Sequence, residues 1–231
     1  MNDHISQQFN AELEQVKNQV MIMGGLVEKH VRNACTALEE NNTALAEEVI
    51  DEDYKVNSLE VSIDEQCTQI IARRQPTAGD LRLVMMIVKT ITDLERVGDE
   101  ACKVARMALE LSAQGGSKKQ SFEIHHIGEH VTKMLRSALD AFARTNTEEA
   151  FRTVAEDRVV DKEYESVMRQ LITHMMEDPR SIQRSMSVIW AARSLERIGD
   201  HSKNICEYVI YLVKGRDVRH VSLEEMKQEV L

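Results

Sequence analysis

The chain has 231 residues, of which 42% are hydrophobic, only 4% are aromatic and two are proline. This composition is typical of long helices, and the length allows one large domain or two of about 115 residues each. A formal net charge of −10 argues against a nucleic-acid partner, because proteins that bind phosphate backbones carry a basic surface. We therefore expect a nearly all-α protein that binds no DNA or RNA.

Features that mark export or membrane insertion are missing from the sequence. No apolar run reaches the roughly 18 residues of a membrane span. The first residues, Met1-Asn2-Asp3-His4, lack the basic region followed by an apolar region that is typical of a signal peptide. Four cysteines stand singly within helical patterns, without a C-x-x-C pair, and are expected to be buried and free: Cys35, Cys67, Cys102 and Cys206. We expect a cytoplasmic protein.

Three helices are predicted in the first half of the chain. Apolar residues recur every three or four positions from about residue 6 to residue 40, from Thr43 to about Arg73, and from Thr77 to about Leu111. Asn41-Asn42-Thr43 supplies a turn and a cap, and Thr77-x-x-Asp80 has the form of a capping box. Gly24-Gly25, inside the first helix, indicates a close helix approach or a kink.

A Gly- and Ser-containing stretch, residues 114–119, separates the halves, and a boundary after residue 116 gives segments 1–116 and 117–215. The second half repeats the plan, with Ser121 capping a helix to about Arg144. Asn146 precedes a helix to about Met176, and Asp178-Pro179 opens the last. The polar tail, 216–231, is expected to be frayed, with Ser222-x-x-Glu225 as a weak capping signal.

A six-residue motif shows that the two halves are related. Leu94-Glu95-Arg96-Val97-Gly98-Asp99 returns as Leu195-Glu196-Arg197-Ile198-Gly199-Asp200, 101 residues later (196 − 95). The pair Asn42-Thr43 is likewise repeated as Asn146-Thr147, 104 residues later. We predict two tandem three-helix bundles, built from six long antiparallel helices, with the motif on the third helix of each bundle.

Each copy of the motif places two carboxylates one helical turn apart, Glu95 with Asp99 and Glu196 with Asp200. In the first copy both continue the apolar stripe that contains Leu81. Burying an unpaired charge costs several kcal/mol, so we expect a cation beside each pair. That cation is either an arginine or lysine or a metal ion.

The second helix of each half adds a companion acidic step, Asp53-x-x-x-Asn57 in the first and Asp157-x-x-x-Asp161 in the second. If the second and third helices are antiparallel, each half brings two such steps together in an oxygen-rich site for iron, manganese, magnesium, calcium or zinc. Salt bridges are the alternative, and the arginines available for them are Arg73, Arg74, Arg82, Arg96, Arg184, Arg193 and Arg197.

Other chemistries have little support. A ferritin-like di-iron site needs Glu-x-x-His on two helices, and only Glu123-x-x-His126 fits. His201 could add a nitrogen ligand, although a lone helical histidine is more often a surface or capping residue. No nucleophile with its base, phosphate-binding Gly loop or dinucleotide fingerprint is visible.

The duplicated Leu-Glu-Arg-hydrophobic-Gly-Asp motif on two three-helix halves resembles the PhoU family of phosphate-specific transport accessory proteins. The resemblance covers about residues 5–215 and includes three further segments, which are 74–82, Tyr164-Glu165 and Asn204-Ile205-Cys206-Glu207. It implies a non-enzymatic, cytoplasmic and usually dimeric negative regulator of the phosphate-starvation response. Such a protein acts between the nucleotide-binding subunit of the phosphate ABC transporter and a sensor histidine kinase, and meets the membrane only through these partners.

The resemblance also implies metal clusters on the E(D)-x-x-x-D motifs. Iron or zinc is favoured over manganese, magnesium or calcium, and the matching residues are Glu95, Asp99, Glu196, Asp200, Asp157, Asp161 and Asp53. Asn57 replaces the second acid of the first companion step. Two alternatives remain, a metal-binding or storage bundle and a structural scaffold whose acidic pairs are ion-paired.

Overall fold

The structure is a computed structural model and describes residues 2–115 and 122–230. Seven α-helices and one 3₁₀ turn account for most of this part of the chain. The helices are α1 (Asn2–Glu40), α2 (Thr43–Arg74), α3 (Ala78–Ala113), α4 (Phe122–Arg144), α5 (Thr147–Glu177), α6 (Ile182–Lys214) and α7 (Leu223–Val230). The prediction of an all-α protein with two tandem three-helix bundles is confirmed. The predicted boundary after residue 116 and the predicted cap Ser121 lie outside the described residues.

Local sequence signals set most helix ends. The side chain of Asn42 accepts a hydrogen bond from the Leu45 backbone N–H at 3.3 Å. Asn146 accepts two, from Glu148 N at 3.1 Å and Glu149 N at 3.2 Å. Both predicted caps are therefore confirmed, and they satisfy backbone donors that a helix start leaves unpaired.

Two predicted caps differ from the structure in detail, although α3 begins directly after Thr77 as predicted. Thr77 is the N-cap residue of α3, but its side chain makes no capping hydrogen bond, so the predicted capping box is not formed. Asp178 does cap, accepting from Arg180 N at 3.1 Å, yet it starts a 3₁₀ turn over Pro179–Ser181. The α-helical part of α6 therefore begins at Ile182, three residues later than predicted.

The prediction of a frayed tail is wrong, because residues 223–230 form α7. Met226 and Val230, one turn apart, are both buried, and α7 packs on α5 and α6. The weak capping signal is real, since Ser222 N donates to Glu225 Oε2 at 2.9 Å and Glu225 N donates to Ser222 Oγ at 3.2 Å. Apolar residues spaced four apart thus outweigh the polar composition of the segment.

The core runs through both halves without interruption, and helices α3 and α6 make the most extensive helix–helix contact. A side chain at Gly24 would collide with Leu139 of α4, since a Cβ atom there would lie 2.5 Å from Leu139 Cδ2. The predicted close helix approach is thus confirmed at Gly24, whereas Gly25 has open space around it. All four cysteines are free and buried, as predicted. No helix in the described ranges is both long and apolar enough to cross a bilayer.

Candidate functional site

The apolar stripe of α3 that ends in Asp99 lies at the edge of the buried face. Leu81 and Asp99 are 18 residues, five turns, apart on one line of the helix, and both are exposed. Glu95 is half-buried. The expectation that this acidic pair lies fully on the packed face is therefore wrong for Asp99, because the centre of that face carries Ile87 and Leu94 instead.

Helix α2 faces the motif with further acids. Asp53 is half-buried, and its Oδ1 atom is shielded from solvent without a hydrogen-bond partner. A Cβ atom at Gly98 would lie at a van der Waals distance of 3.5 Å from Asp53 Oδ1, so this carboxylate of α2 lies directly against the motif on α3. Asn57 Nδ2 donates to Asp53 Oδ2 at 3.3 Å. We call the acids of α2 and α3 the first acidic cluster, which consists of Asp53, Glu60, Asp64, Glu95 and Asp99.

Carboxylates of the first acidic cluster raise one another's pKa. The pKa of Glu95 is raised, first by burial and then by the charges of Asp99, Glu60 and Asp53. Burial also raises the pKa of Glu60, with Asp64 and Asp99 adding to the effect and Arg96 opposing it. Among the described residues, no Lys or Arg nitrogen lies within 4.0 Å of a carboxylate oxygen of this cluster.

The second half forms the corresponding second acidic cluster, Glu196 and Asp200 on α6 with Asp157 and Asp161 on α5. Burial is the first cause of a raised pKa at Glu196, Asp200 and Asp161, and the neighbouring carboxylates of the cluster add to it. Asp161 is exposed, whereas Asp157 is buried. The structure thus brings together the predicted residues of this half.

Two built-in cations neutralise part of the second acidic cluster. Lys203 Nζ lies 2.6 Å from Asp157 Oδ2, and Arg193 Nη1 lies 2.6 Å from Glu196 Oε1. The other oxygen of Glu196 is buried without a hydrogen-bond partner. Of the arginines predicted as alternatives to a metal, Arg193 therefore takes that role, whereas Arg74 pairs with Glu12 at 2.6 Å.

The two clusters are acidic but not preformed metal centres. Within residues 2–115 and 122–230, no group of three or more His, Cys, Asp or Glu side chains is arranged to hold a metal ion. Asp53 Oδ1 and Glu196 Oε2 are buried without a hydrogen-bond partner, so a cation bound beside them would be stabilising. Any coordination sphere would require the carboxylates of a cluster to move towards a common point.

Sequence reasoning missed a buried polar pair between the halves. His201 Nδ1 lies 2.7 Å from Asp93 Oδ1, and Asn204 Nδ2 donates to the same oxygen at 3.2 Å. His201 is only 7% exposed, so the expectation of a surface or capping histidine is wrong. The available signal was Asp93 itself, a charged residue directly before the buried Leu94.

A second charged link joins α3 and α6. Glu100 is 2% exposed and accepts from two cations, Arg197 Nη1 at 2.8 Å and Lys103 Nζ at 3.0 Å. Arg197, part of the second motif, thus reaches across to the first half rather than to its neighbour Glu196. Because Glu100 pairs with Arg197 and Asp93 with His201, helices α3 and α6 run antiparallel.

A polar cavity of about 400 Å³ lies beside this interface, and its lining includes Asp200, Lys203, Glu207 and Arg219. Glu207 is 5% exposed, and burial raises its pKa to about 7, while Lys203 lowers it. The Glu207 carboxyl group therefore holds its proton to a higher pH than an ordinary glutamate does.

These features define a tandem-repeat helical bundle with one acidic cluster in each half. A model of the PhoU domain matches residues 20–108 and 124–209. The phosphate-specific transport system accessory protein PhoU homolog of Pseudomonas putida is 54% identical over 230 residues, which cover 100% of this chain and 90% of that protein. The PhoU protein of Escherichia coli K12 is 51% identical over 226 residues, 98% of this chain and 93% of that protein.

Solved structures agree with the sequence comparison. The crystal structure of PhoU from Pseudomonas aeruginosa matches with a TM-score of 0.88 and 52% identity, covering 90% of this chain and 100% of that chain. The PhoU structure from Streptococcus pneumoniae matches with a TM-score of 0.83 and 29% identity, covering 91% and 99%. The chain belongs to the PhoU family of accessory proteins, and by that membership it is not an enzyme.

Proposed function

We propose that this chain is a negative regulator of the phosphate-starvation response. In this role it is a cytoplasmic homodimer that connects the nucleotide-binding subunit of the phosphate ABC transporter with its sensor histidine kinase. The observation that carries the proposal is the 54% identity, over 100% of this chain, to a protein named as a phosphate-specific transport system accessory protein. The identification of the kinase and the transporter subunit as the two partners rests on the resemblance to the PhoU family.

The two halves are alike in shape and unlike in surface chemistry, which suits an adaptor with two partners. The first acidic cluster has no lysine or arginine within 4.0 Å among the described residues, whereas the second is partly neutralised by Lys203 and Arg193. Outer faces that differ in charge favour different partners, because specificity depends on electrostatic complementarity and on repulsion of the wrong surface.

Deletion of the gene tests the proposal. We expect phosphate-responsive transcription and phosphate uptake to rise at ample phosphate, and a plasmid copy of the wild-type chain to restore repression. A pull-down of the kinase and the transporter subunit, at high and at low phosphate, then measures which contact depends on phosphate. Unchanged uptake and transcription after deletion would refute the regulatory role.

A metal-binding or storage bundle is the second candidate, and the buried oxygens of Asp53 and Glu196, which lack partners, favour it. Iron or zinc would be held before manganese, magnesium or calcium. The metal would supply positive charge among carboxylates that otherwise repel one another. Its holders in the first half would be Asp53, Glu95 and Asp99, and in the second Asp157, Asp161, Glu196 and Asp200.

Elemental analysis of protein purified without chelator tests this candidate. We expect the double variant Glu196→Ala/Asp200→Ala to lose the metal of the second half while its circular dichroism stays nearly unchanged. The matched variant Glu95→Ala/Asp99→Ala should lose the metal of the first half. Wild-type protein without stoichiometric metal, or metal content unaffected by both variants, would exclude storage at these clusters.

A further inference from the structure

One carboxylate of the first acidic cluster lacks the cation that its counterpart in the second half has. Lys203 Nζ lies 2.6 Å from Asp157 Oδ2. The residues at the matched positions of the first half are Cys102 and Asp53, at offsets of 101 and 104 residues. Asp53 Oδ1 is buried without a hydrogen-bond partner, and the neighbouring Cys102 thiol is uncharged because burial raises its pKa to about 12. The side chain at the lysine position therefore does not balance the charge of Asp53.

Other cations near Asp53 do not balance it either. Lys29 and Lys55 both contact Glu52, the residue before Asp53, and Lys29 Nζ does so at 3.2 Å. Arg106 of α3 is exposed, so solvent screens its charge. Within the described ranges, no Lys or Arg nitrogen lies within 4.0 Å of an Asp53 oxygen. The buried oxygen is therefore suited to a cation from outside the chain.

A buried histidine of α1 lies beside the same stretch of α2. His30 is 1% exposed, and neither of its ring nitrogens has a hydrogen-bond partner. Its Nε2 atom lies 3.7 Å from Glu52 Oε2, too far for a hydrogen bond. Burial lowers the pKa of His30, whereas the charges of Glu52 and Asp53 raise it, so the ring is close to both acids. The matched residue of the second half is Met134, which is buried and apolar. Because burying bare polar nitrogens is costly, His30 indicates a ligand that the second half does not need.

We propose that the first half binds one divalent ion of the zinc type through Asp53, Cys102 and His30, in place of the ammonium group that the second half carries. The oxygen, sulfur and nitrogen donors are the three types that zinc combines in proteins. The inference rests on the metal-binding candidate above and adds two ligands that the acidic motif does not contain. The three donors do not converge on one point in the described chain, so binding draws Cys102 and His30 towards Asp53. The thiol proton passes to solvent as the sulfur–metal bond forms, because the thiolate is the ligand.

Titration of the full chain with Co²⁺ tests the site, because Co²⁺ occupies zinc sites and shows a thiolate-to-metal charge-transfer band only when sulfur is a ligand. We expect the first equivalent of Co²⁺ to give this band and Zn²⁺ to abolish it by displacement. Cys102→Ser should remove the band. His30→Met, which installs the residue of the second half, should weaken Co²⁺ binding by at least about tenfold. Cys102→Lys, which supplies the ammonium group of the second half, should also remove the band and the first equivalent of bound metal.

Cys67→Ser is the control, because Cys67 is also a buried free thiol of the first half, and this variant should keep the band. Circular dichroism checks folding, which the nearly isosteric Cys102→Ser change is expected to preserve. Co²⁺ that binds without the band, or a band that survives Cys102→Ser, would refute this site and leave metal binding by the carboxylates standing. A chain that binds no Co²⁺ would refute both the site and the metal-binding candidate, whereas the regulatory role is decided separately by the gene deletion.

Discussion

The first and second acidic clusters descend from one pattern but differ in how their charge is balanced. In the second cluster Lys203 and Arg193 contact carboxylates at 2.6 Å each. At the matched positions of the first half stand Cys102 and Thr92, which carry no charge. Cys102 is buried, which raises the pKa of its thiol to about 12, and Thr92 donates to the Val88 carbonyl of its own helix at 3.1 Å.

A second difference between the halves explains why the motif arginines, Arg96 and Arg197, have different partners. Arg197 pairs with Glu100, but the residue that matches Glu100 in the second half is His201, which pairs with Asp93. Arg96 therefore has no carboxylate in the mirrored position and stays beside the first acidic cluster, where its charge lowers the pKa of Glu95 and Glu60. Duplication preserved the acids, and divergence of their neighbours made the two clusters chemically distinct.

Removing Lys203 should have the largest effect on stability. Lys203→Met leaves the carboxylate of Asp157, whose side chain is 6% exposed, without its ammonium partner. We expect the free energy of unfolding to fall by about 2 kcal/mol, less than for a fully buried pair because the Lys203 side chain is one-third exposed. Urea denaturation measures the change.

Lys103→Met is the control for that measurement. Glu100 keeps its contact with Arg197 when Lys103 is lost, so we expect a decrease of less than about 1 kcal/mol. Equal losses in the two variants would show that Lys203 is no more important than a surface lysine, and the contrast between the clusters would disappear.

Glu207 should make the stability of the second half depend on pH. Its pKa is about 7 in the folded state against 4.5 for the free group, so the folded chain binds more protons between these values. Stability from this group therefore falls as pH rises from 4.5 to 7. Glu207→Gln removes this loss, so we expect the variant to be more stable than wild type at pH 8 and equal to it near pH 4.

Urea midpoints at several pH values check this expectation. The matched position in the first half is Arg106, which is exposed, and Arg106→Gln should leave the pH profile unchanged. If Glu207→Gln follows the wild-type profile throughout, burial of Glu207 does not control the pH dependence.

The smallest expected effect concerns the companion steps, where Asn57 matches Asp161. Asn57→Asp replaces a hydrogen-bond donor to Asp53 by a like charge one turn away, and should destabilise by about 0.5 kcal/mol. Asp161→Asn should stabilise by a similar amount, since Asp157 and Asp200 raise the pKa of Asp161. Both changes should shrink at high salt, because the side chains are exposed. If both substitutions changed stability in the same direction, the first and second acidic clusters would not differ in this respect.

Local interactions explain why so much of the fold is visible in the sequence. Asn42 and Asn146 bond to backbone groups two or three residues away, so a short window contains both partners. The repeat likewise pairs Glu95 with Asp53 and Glu196 with Asp157, because matched offsets place the same helices side by side. α7 was missed because its two buried side chains, Met226 and Val230, need α5 and α6 to cover them.

The amino-acid sequence alone determined the helices, the duplication, the acidic motifs and the family, since periodicity, capping and repetition are carried by residues close together or by matched spacing. Only the tertiary structure decided which charges meet. Asp93 and His201 are 108 residues apart, and Lys203 and Asp157 are 46 apart. Which of several arginines and lysines reaches a given carboxylate depends on how α3, α5 and α6 pack, and electrostatic energy depends on that distance and on burial.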